Sequence, residues 1–298
     1  MDRRVLAHLS LFGANLIYGA NYTIAKDVMP AYILPYGFVL LRCIGAVVLF
    51  WLTSLWVKES IDRKDLPRLV LCAVFGIAIN QLMFLKGLSL THPINASILM
   101  TATPILVIII AAIIIRERID LPRVAGITLG LCGALLLLLK GREVSFSSDT
   151  FLGDVLVFIN ASSYGVFLVI VSPLLSKYNP ITVMRWVFLF GGLMVIPFGW
   201  QELSLVQWSQ FPPRIWAGTV FVVVGLSYFA YLFNSIGLRY LSPSVVSIYI
   251  YLQPVLATAI AIGAGSDVLT VTKVISAVLV FSGVYLVNHS ARSKPSST

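Results

Sequence analysis

The sequence predicts an all-α integral membrane protein of ten transmembrane helices, arranged as two inverted five-helix repeats, and three observations carry that expectation. Of 298 residues, 59% are hydrophobic and 11% are charged, against about 25% charged in an ordinary soluble domain. Nearly uncharged windows close to twenty residues long recur throughout, each able to cross about 30 Å of hydrocarbon at about 1.5 Å per residue. The second half also echoes the first: residues 93 to 104 read PINASILMTATP and residues 243 to 254 read PSVVSIYIYLQP, the same proline frame 150 positions on.

Span 1, Val5 to Ala25, follows MDRR and could be mistaken for a cleaved leader; Asn15, Asn21 and its length argue that it is retained. Asn15, Tyr18, Tyr22 and Lys26 fall at i, i+3, i+7 and i+11, one polar and aromatic stripe. Span 2, Pro35 to Val57, carries Arg42 about two turns in; span 3, Pro67 to Leu90, carries Asn80, Gln81 and, near its outer end, Lys86. In span 4, Ile94 to Ile115, Ser97, Thr101 and Pro104 share a face. Span 5, Leu121 to Leu139, holds Gly126 and Gly130 in a G-x-x-x-G spacing with Gly133 one turn on, which permits close helix contact, within the bundle or between protomers. The segment Lys140 to Leu152 is rich in Ser, Asp and Thr and marks the boundary between repeats 1–145 and 146–290.

Span 6, Gly153 to Leu175, supplies Asn160, Ser163 and Tyr164; span 7, Ile181 to Trp200, supplies Arg185; span 8, Ile215 to Leu238, supplies Tyr228, Tyr231 and Asn234. Span 9, Val245 to Ala264, matches span 4 with Ser247, Tyr251 and Pro254, and span 10 is Val271 to Val287, followed by a tail, 291–298. At offset 150, Gly87 meets Gly237, Pro93 meets Pro243, Glu117 meets Asp267 and Gly133 meets Gly283; earlier in the chain Tyr18 matches Tyr164 at 146 and Arg42 matches Arg185 at 143. Five spans per copy is odd, so the second copy enters the bilayer upside down, related to the first by an axis in the membrane plane. That symmetry suits alternating access and hence transport.

Positive charge orients the bundle. With both termini cytoplasmic, the inner segments hold Arg3, Arg4, Lys58, Arg63, Lys64, Arg68, Arg116, Arg118, Arg123, Lys177, Arg239, Arg292 and Lys294, thirteen in all, against six outside: Lys26, Lys86, Lys140, Arg142, Arg214 and Lys273. The net charge of +9 is therefore a topology signal, and its dispersal over several loops excludes a nucleic-acid surface. Cys43, Cys72 and Cys132 have no useful spacing and read as small core residues; His8, His92 and His289 are terminal or interfacial, so neither a metal site nor a histidine relay is expected. No acidic residue stands at a span centre, which leaves facilitated diffusion, exchange or coupling through groups near helix ends. Hydrolase, zinc-protease and phosphate-loop motifs are missing, so no enzymatic activity and no cofactor are expected.

The segment TPILVIIIAAIIIRERI and its echo QPVLATAIAIGAGSDVL, with the helix-centre prolines, a glycine in spans 5 and 10 and an acidic residue after spans 4 and 9, resemble the EamA-type transporters of the drug/metabolite transporter superfamily. The resemblance covers residues 5 to 139 and 150 to 289, and it departs at Arg116, where a glycine commonly stands, and at Asp267, which replaces a glutamate. It implies a secondary transporter of small organic solutes in an inner membrane, monomer or homodimer, with a drug or cation efflux protein and a solute channel as alternatives. The polar faces predict a cavity lined by Asn15, Tyr18, Tyr22, Asn80, Gln81, Ser97, Thr101, Tyr164, Tyr228, Tyr231, Ser247 and Tyr251, kinks at Pro104 and Pro254, and candidate anion or gating contacts at Arg42, Lys86 and Arg185. Tyrosine rings with amides and hydroxyls favour an exported amino acid or related amphipathic solute.

Overall fold

The computed structural model describes residues 2–91, 93–139, 150–263 and 268–292, and the regular structure among them is helical. In order these are α1 Arg3–Val28, α2 Pro35–Ser54, α3 Arg63–Leu90, α4 in two pieces Pro93–Met100 and Thr103–Ile114, α5 Leu121–Leu139, α6 Phe151–Lys177, α7 Pro180–Ser204, α8 Pro213–Tyr240, α9 Pro243–Gly263 and α10 Val271–Arg292. Among the described residues eight helices are long and apolar enough to cross a membrane: α2, α3 and α5 to α10. The other two differ for visible reasons. Helix α1 has the length, 26 residues, but carries the polar stripe of Asn15, Tyr18 and Asn21, and α4 counts among the described residues as a shorter apolar helix, Ile98–Ile114, with an interruption of its α-helical winding at Thr101 and Ala102.

Proline causes that interruption. It lacks an N–H and its ring collides with the carbonyl four residues back, so the chain ahead of Pro104 tightens, with Thr101 N donating to Ile98 O at 3.0 Å and Ala102 N to Leu99 O at 3.1 Å. Helix α9 answers Pro254 in the same way, with a 3-10 turn over Tyr249–Tyr251. A second shared irregularity is π-helical winding, over Val74–Ala78 in α3 and Phe221–Ala230 in α8; the first stretch, moved on by 150, lies inside the second.

The α4 terminus explains one departure from the family pattern. Glu117 N and Ile115 N both donate to Ala111 O at 3.1 Å, which carries Arg116 into the left-handed region at φ 53°. A side chain there is strained and glycine is not. Arg116→Gly is expected to stabilise the protein by about 0.5–1 kcal/mol, read as a higher midpoint of thermal unfolding in detergent. A lowered midpoint would overturn the point.

Helices α5 and α10 pack at backbone distance. A Cβ on Gly126 would lie 2.7 Å from the Gly283 carbonyl oxygen, and one on Gly133 2.8 Å from the Ser276 carbonyl. The glycine row of α5 is thus used within the chain. Between α2, α7 and α8 the core is aromatic: Phe50 stacks on Phe188 at 5.4 Å and meets Tyr228 at 4.6 Å, while Phe188 meets Tyr231 edge-on at 4.9 Å. Cys43 and Cys72 belong to this interior, but Cys132 is exposed, a correction to its reading as a core residue. Large apolar side chains such as Ile113 (74% exposed) and Val278 (59%) face outward, a surface suited to lipid and costly in water.

Links between helix ends sort into two groups. In one, Lys177 Nζ meets Asp65 Oδ2 at 2.6 Å, Asn179 N donates to Glu59 at 2.8 Å, and Glu117 accepts from Ser244 at 2.9 Å while pairing with Arg123 at 2.6 Å. In the other, Arg214 pairs with Asp27 at 2.5 Å, Gly37 N donates to Glu202 at 2.9 Å, and Thr91 donates to Asp154 at 2.5 Å. Every link joins ends that a chain reversing direction at each span brings to one side.

Candidate functional site

Midway between the two sets of ends, α1, α6, α8 and α9 turn polar side chains towards one another. Asn15, buried on α1, donates to Leu11 O at 2.8 Å and accepts from Gln253 Nε2 of α9 at 3.1 Å. One turn on, Tyr18 accepts from Asn234 Nδ2 of α8 at 3.2 Å, and the same amide lies 3.5 Å from the Tyr164 hydroxyl of α6. One amide thus bridges two phenols that the repeat register treats as equivalent. These groups enclose a cavity of about 10 Å³, room for no more than one water. Its wall has two characters: Asn15, Tyr18, Tyr164, Asn234, Ser247 and Gln253 are polar or amphipathic, and Leu168, Val246 and Ile250 are apolar.

Four of the twelve residues expected at a cavity, Asn15, Tyr18, Tyr164 and Ser247, line this one. Others stand around it in supporting bonds. Asn160 Nδ2 donates to Asn80 O at 2.6 Å, with the Asn80 amide returning towards Asn160 O at 3.5 Å, a staple between α3 and α6. Gln81 Nε2 lies 3.4 Å from the Tyr231 hydroxyl, and Tyr251 donates to Thr101 O at 3.1 Å. Tyr228 is packed on Phe50. The side chains of Tyr22, Lys26 and Ser97 lie outside the described residues, as do Asp267, His92 and the segment 140–149 that carries most of the expected repeat boundary.

The three candidate cations separate. Arg42 reaches inward, its Nε donating to Ser227 Oγ at 3.1 Å. Arg185 is fastened, donating to Glu59 O at 2.9 Å and lying over Trp51 at 5.4 Å and Trp186 at 6.0 Å. Lys86 is exposed. Among the described residues no group of His, Cys, Asp or Glu could hold a metal ion.

Gln253, Leu168, Val246 and Ile250 join the wall without having been singled out, and Asn234, noted among the polar faces, turns out to be its hub. The glutamine beside Pro254 carried a usable signal: an amide in an apolar span requires a partner. A second cavity, about 140 Å³, opens at the ends of α1, α5, α8 and α10 between Arg4, His8, Arg123, Tyr240, Leu241, Ser242 and Asn288. There His8 Nδ1 and Asn288 Nδ2 meet the Tyr249 hydroxyl at 2.8 and 3.2 Å.

The same arrangement of helices is found among known proteins. The model of the EamA-like transporter family matches twice, at residues 5–139 and 151–289. An uncharacterised transporter of Bacillus subtilis, YyaM, is 24% identical over 286 residues, covering 93% of this chain and 92% of its own. An uncharacterised transporter of Archaeoglobus fulgidus is 26% identical over 283 residues, covering 94% and 96%. A probable terminal-alkyne amino-acid exporter of Streptantibioticus cattleyicolor is 22% identical, covering 76% and 74%. A solved crystal structure superposes with a TM-score of 0.80 at 21% identity over 97% of this chain and 98% of that one, which establishes the shared fold.

Proposed function

The chain belongs to the EamA-like transporter family of the drug/metabolite transporter superfamily; taking it therefore as a multi-pass membrane transporter and not an enzyme, we propose that it exports an amino acid or a related amphipathic solute by alternating access. The observation that carries this reading is the divided wall of the central cavity, with amides and hydroxyls on one part and Leu168, Val246 and Ile250 on another. A zwitterionic head is matched by the first and an apolar side chain by the second. The exporter of Streptantibioticus cattleyicolor, named for an amino acid, supports the same class of cargo.

Ten spans in two inverted repeats, 1–145 and 146–290, with a cytoplasmic tail at 291–298 and both termini inside, make up the architecture of this proposal. Two hydrogen bonds support it: Gln81 with Tyr231 and Thr101 with Tyr251 join positions 150 apart. A residue meets its own repeat mate only close to the axis that exchanges the copies. The cavity holds about 10 Å³, far too little for an organic solute, so cargo enters only when its walls part.

The test is competition in reconstituted vesicles among phenylalanine, threonine, a sugar phosphate and a quaternary ammonium compound. Phenylalanine is expected to compete best. If the quaternary cation or the sugar phosphate is carried and both amino acids are ignored, the cargo class is wrong, and the efflux alternative takes its place if the cation is the one carried.

A further inference from the structure

Arg42 is placed as a binding group and not as a fastening. It follows Pro35, the first residue of α2, by seven positions, hence about 10 Å below that end at the helical rise. Its Nε donates to Ser227 Oγ at 3.1 Å, and Ser227 Oγ in turn donates a hydrogen bond to Val222 O at 3.2 Å. The hydroxyl that holds the guanidinium is therefore neutral. No Asp or Glu among the described residues comes within ion-pairing distance of Arg42. Ser227 lies seven residues before Asn234 of the cavity wall, on the same helix.

Arg185, its counterpart in the second copy, shows what an arginine at this register does when its work is structural. It donates a hydrogen bond to a backbone carbonyl and two indoles cover its plane. Among the described residues no ring covers Arg42 in that way. A guanidinium withdrawn from water is costly unless an oxyanion meets it, and its planar fork fits a carboxylate through two parallel hydrogen bonds. Ser227 sits within the π-helical stretch of α8, a local winding that recurs at functional sites; there it holds Nε and leaves the terminal nitrogens free for a ligand.

We propose that Arg42 docks the carboxylate of the cargo, so that the protein selects amphipathic carboxylates over the matching amides and amines. This rests on the transport reading given above and sharpens it, because the anionic head becomes obligatory.

Matched pairs test it: phenylalanine against phenylalaninamide, leucine against leucinamide and phenylacetate against phenylacetamide, each scored on the purified protein by ligand-induced thermal stabilisation. Separately, vesicle flux of each probe is measured. In the wild type at least one carboxylate is expected to bind at least tenfold more tightly than its amide. Arg42→Gln should erase that preference with amide binding changed less than twofold, and Arg42→Lys should restore part of it. Ser227→Ala keeps the charge but frees it, and is expected to weaken carboxylates about threefold to tenfold. Equal or better binding of the amides, a preference that survives Arg42→Gln, or no binding by any carboxylate overturns the assignment. Should Arg42→Gln fail to fold, the wild-type pairs and Ser227→Ala still decide. Flux of the amides or amines alone would sink Arg42's role and leave transport standing; failure of every solute to move would count against the transport reading itself.

Discussion

Replacing Asn234 by leucine is expected to lower the initial rate of transport at least tenfold in vesicles while leaving the protein folded and inserted. The side chain is 8% exposed, and its amide is the group that Tyr18 and Tyr164 share, at 3.2 and 3.5 Å. Leucine keeps nearly the same volume but removes the donor, leaving two phenolic oxygens in a closed chamber without it. A buried polar group stranded in this way costs about 1–3 kcal/mol, and about 1.4 kcal/mol is a factor of ten. The loss falls on the arrangement of rings that the cargo must meet and not on the bundle, since α8 keeps its backbone bonds. Ser162→Ala on the same α6 helix removes an exposed hydroxyl bonded to Phe158 O at 2.9 Å, and transport should stay within about twofold of wild type. Equal rates for Asn234→Leu and wild type would remove the chamber from the transport path.

The second large effect is on stability. Gly283→Ala adds one carbon, and helix propensity alone would make that favourable by about 1 kcal/mol. The new Cβ, however, would fall into the Gly126 carbonyl oxygen and within 2.8 Å of Gly130 N. Both are backbone atoms of α5 and cannot rotate away, so the two helices must separate along their whole contact. Overpacking typically costs about 1–3 kcal/mol and more where nothing yields. The expected net result is a loss of at least about 2 kcal/mol, seen as a lower unfolding midpoint and reduced monodisperse yield. Gly263→Ala is the control: among the described residues nothing lies within 4 Å of its added carbon, and it should be neutral or slightly stabilising. A glycine row serving contact between protomers would instead change assembly size at unchanged stability.

Much of the fold was legible because hydrocarbon leaves few choices. Charge-free windows, the proline frame and the small residues of α5 each stand for a physical constraint that sequence displays directly: span length, a missing N–H, a close backbone. The strain at Arg116 was also visible, as a departure from a pattern whose reason is the left-handed φ of 53°.

The site was harder to read because faces were counted at 3.6 residues per turn through segments that do not wind that way. In α9 the sequence put Ser247, Tyr251 and Pro254 on one face; the cavity instead meets Val246, Ser247, Ile250 and Gln253. The intervening 3-10 turn at Tyr249–Tyr251 advances about 120° per residue in place of about 100°, so three residues rotate the remainder of the helix by about 60°. Helix α8 drifts the other way through its looser π-helical stretch. Of the three polar residues read there, Tyr228 lies inside that stretch and packs on Phe50, while Tyr231 beside Gln81 and Asn234 in the chamber follow it in regular α-helix. Nothing in a single sequence announces those changes of pitch.

The pairs Gln81 with Tyr231 and Thr101 with Tyr251 bear on how such a chain could be tuned. Were the bundle a homodimer of one five-helix unit, each position on the exchange axis would face an identical residue, and the two conformations exchanged by the two-fold rotation would be equal in energy by symmetry. Fusing the copies into one polypeptide lifts that degeneracy. A glutamine can then face a tyrosine, and a threonine another tyrosine, pairs of unlike side chains that a dimer of identical units has no means to encode. On the alternating-access reading proposed above, unlike residues at those two positions would bias which conformation the empty protein rests in, and Gln81, Thr101, Tyr231 and Tyr251 are not among the residues that line the cavity.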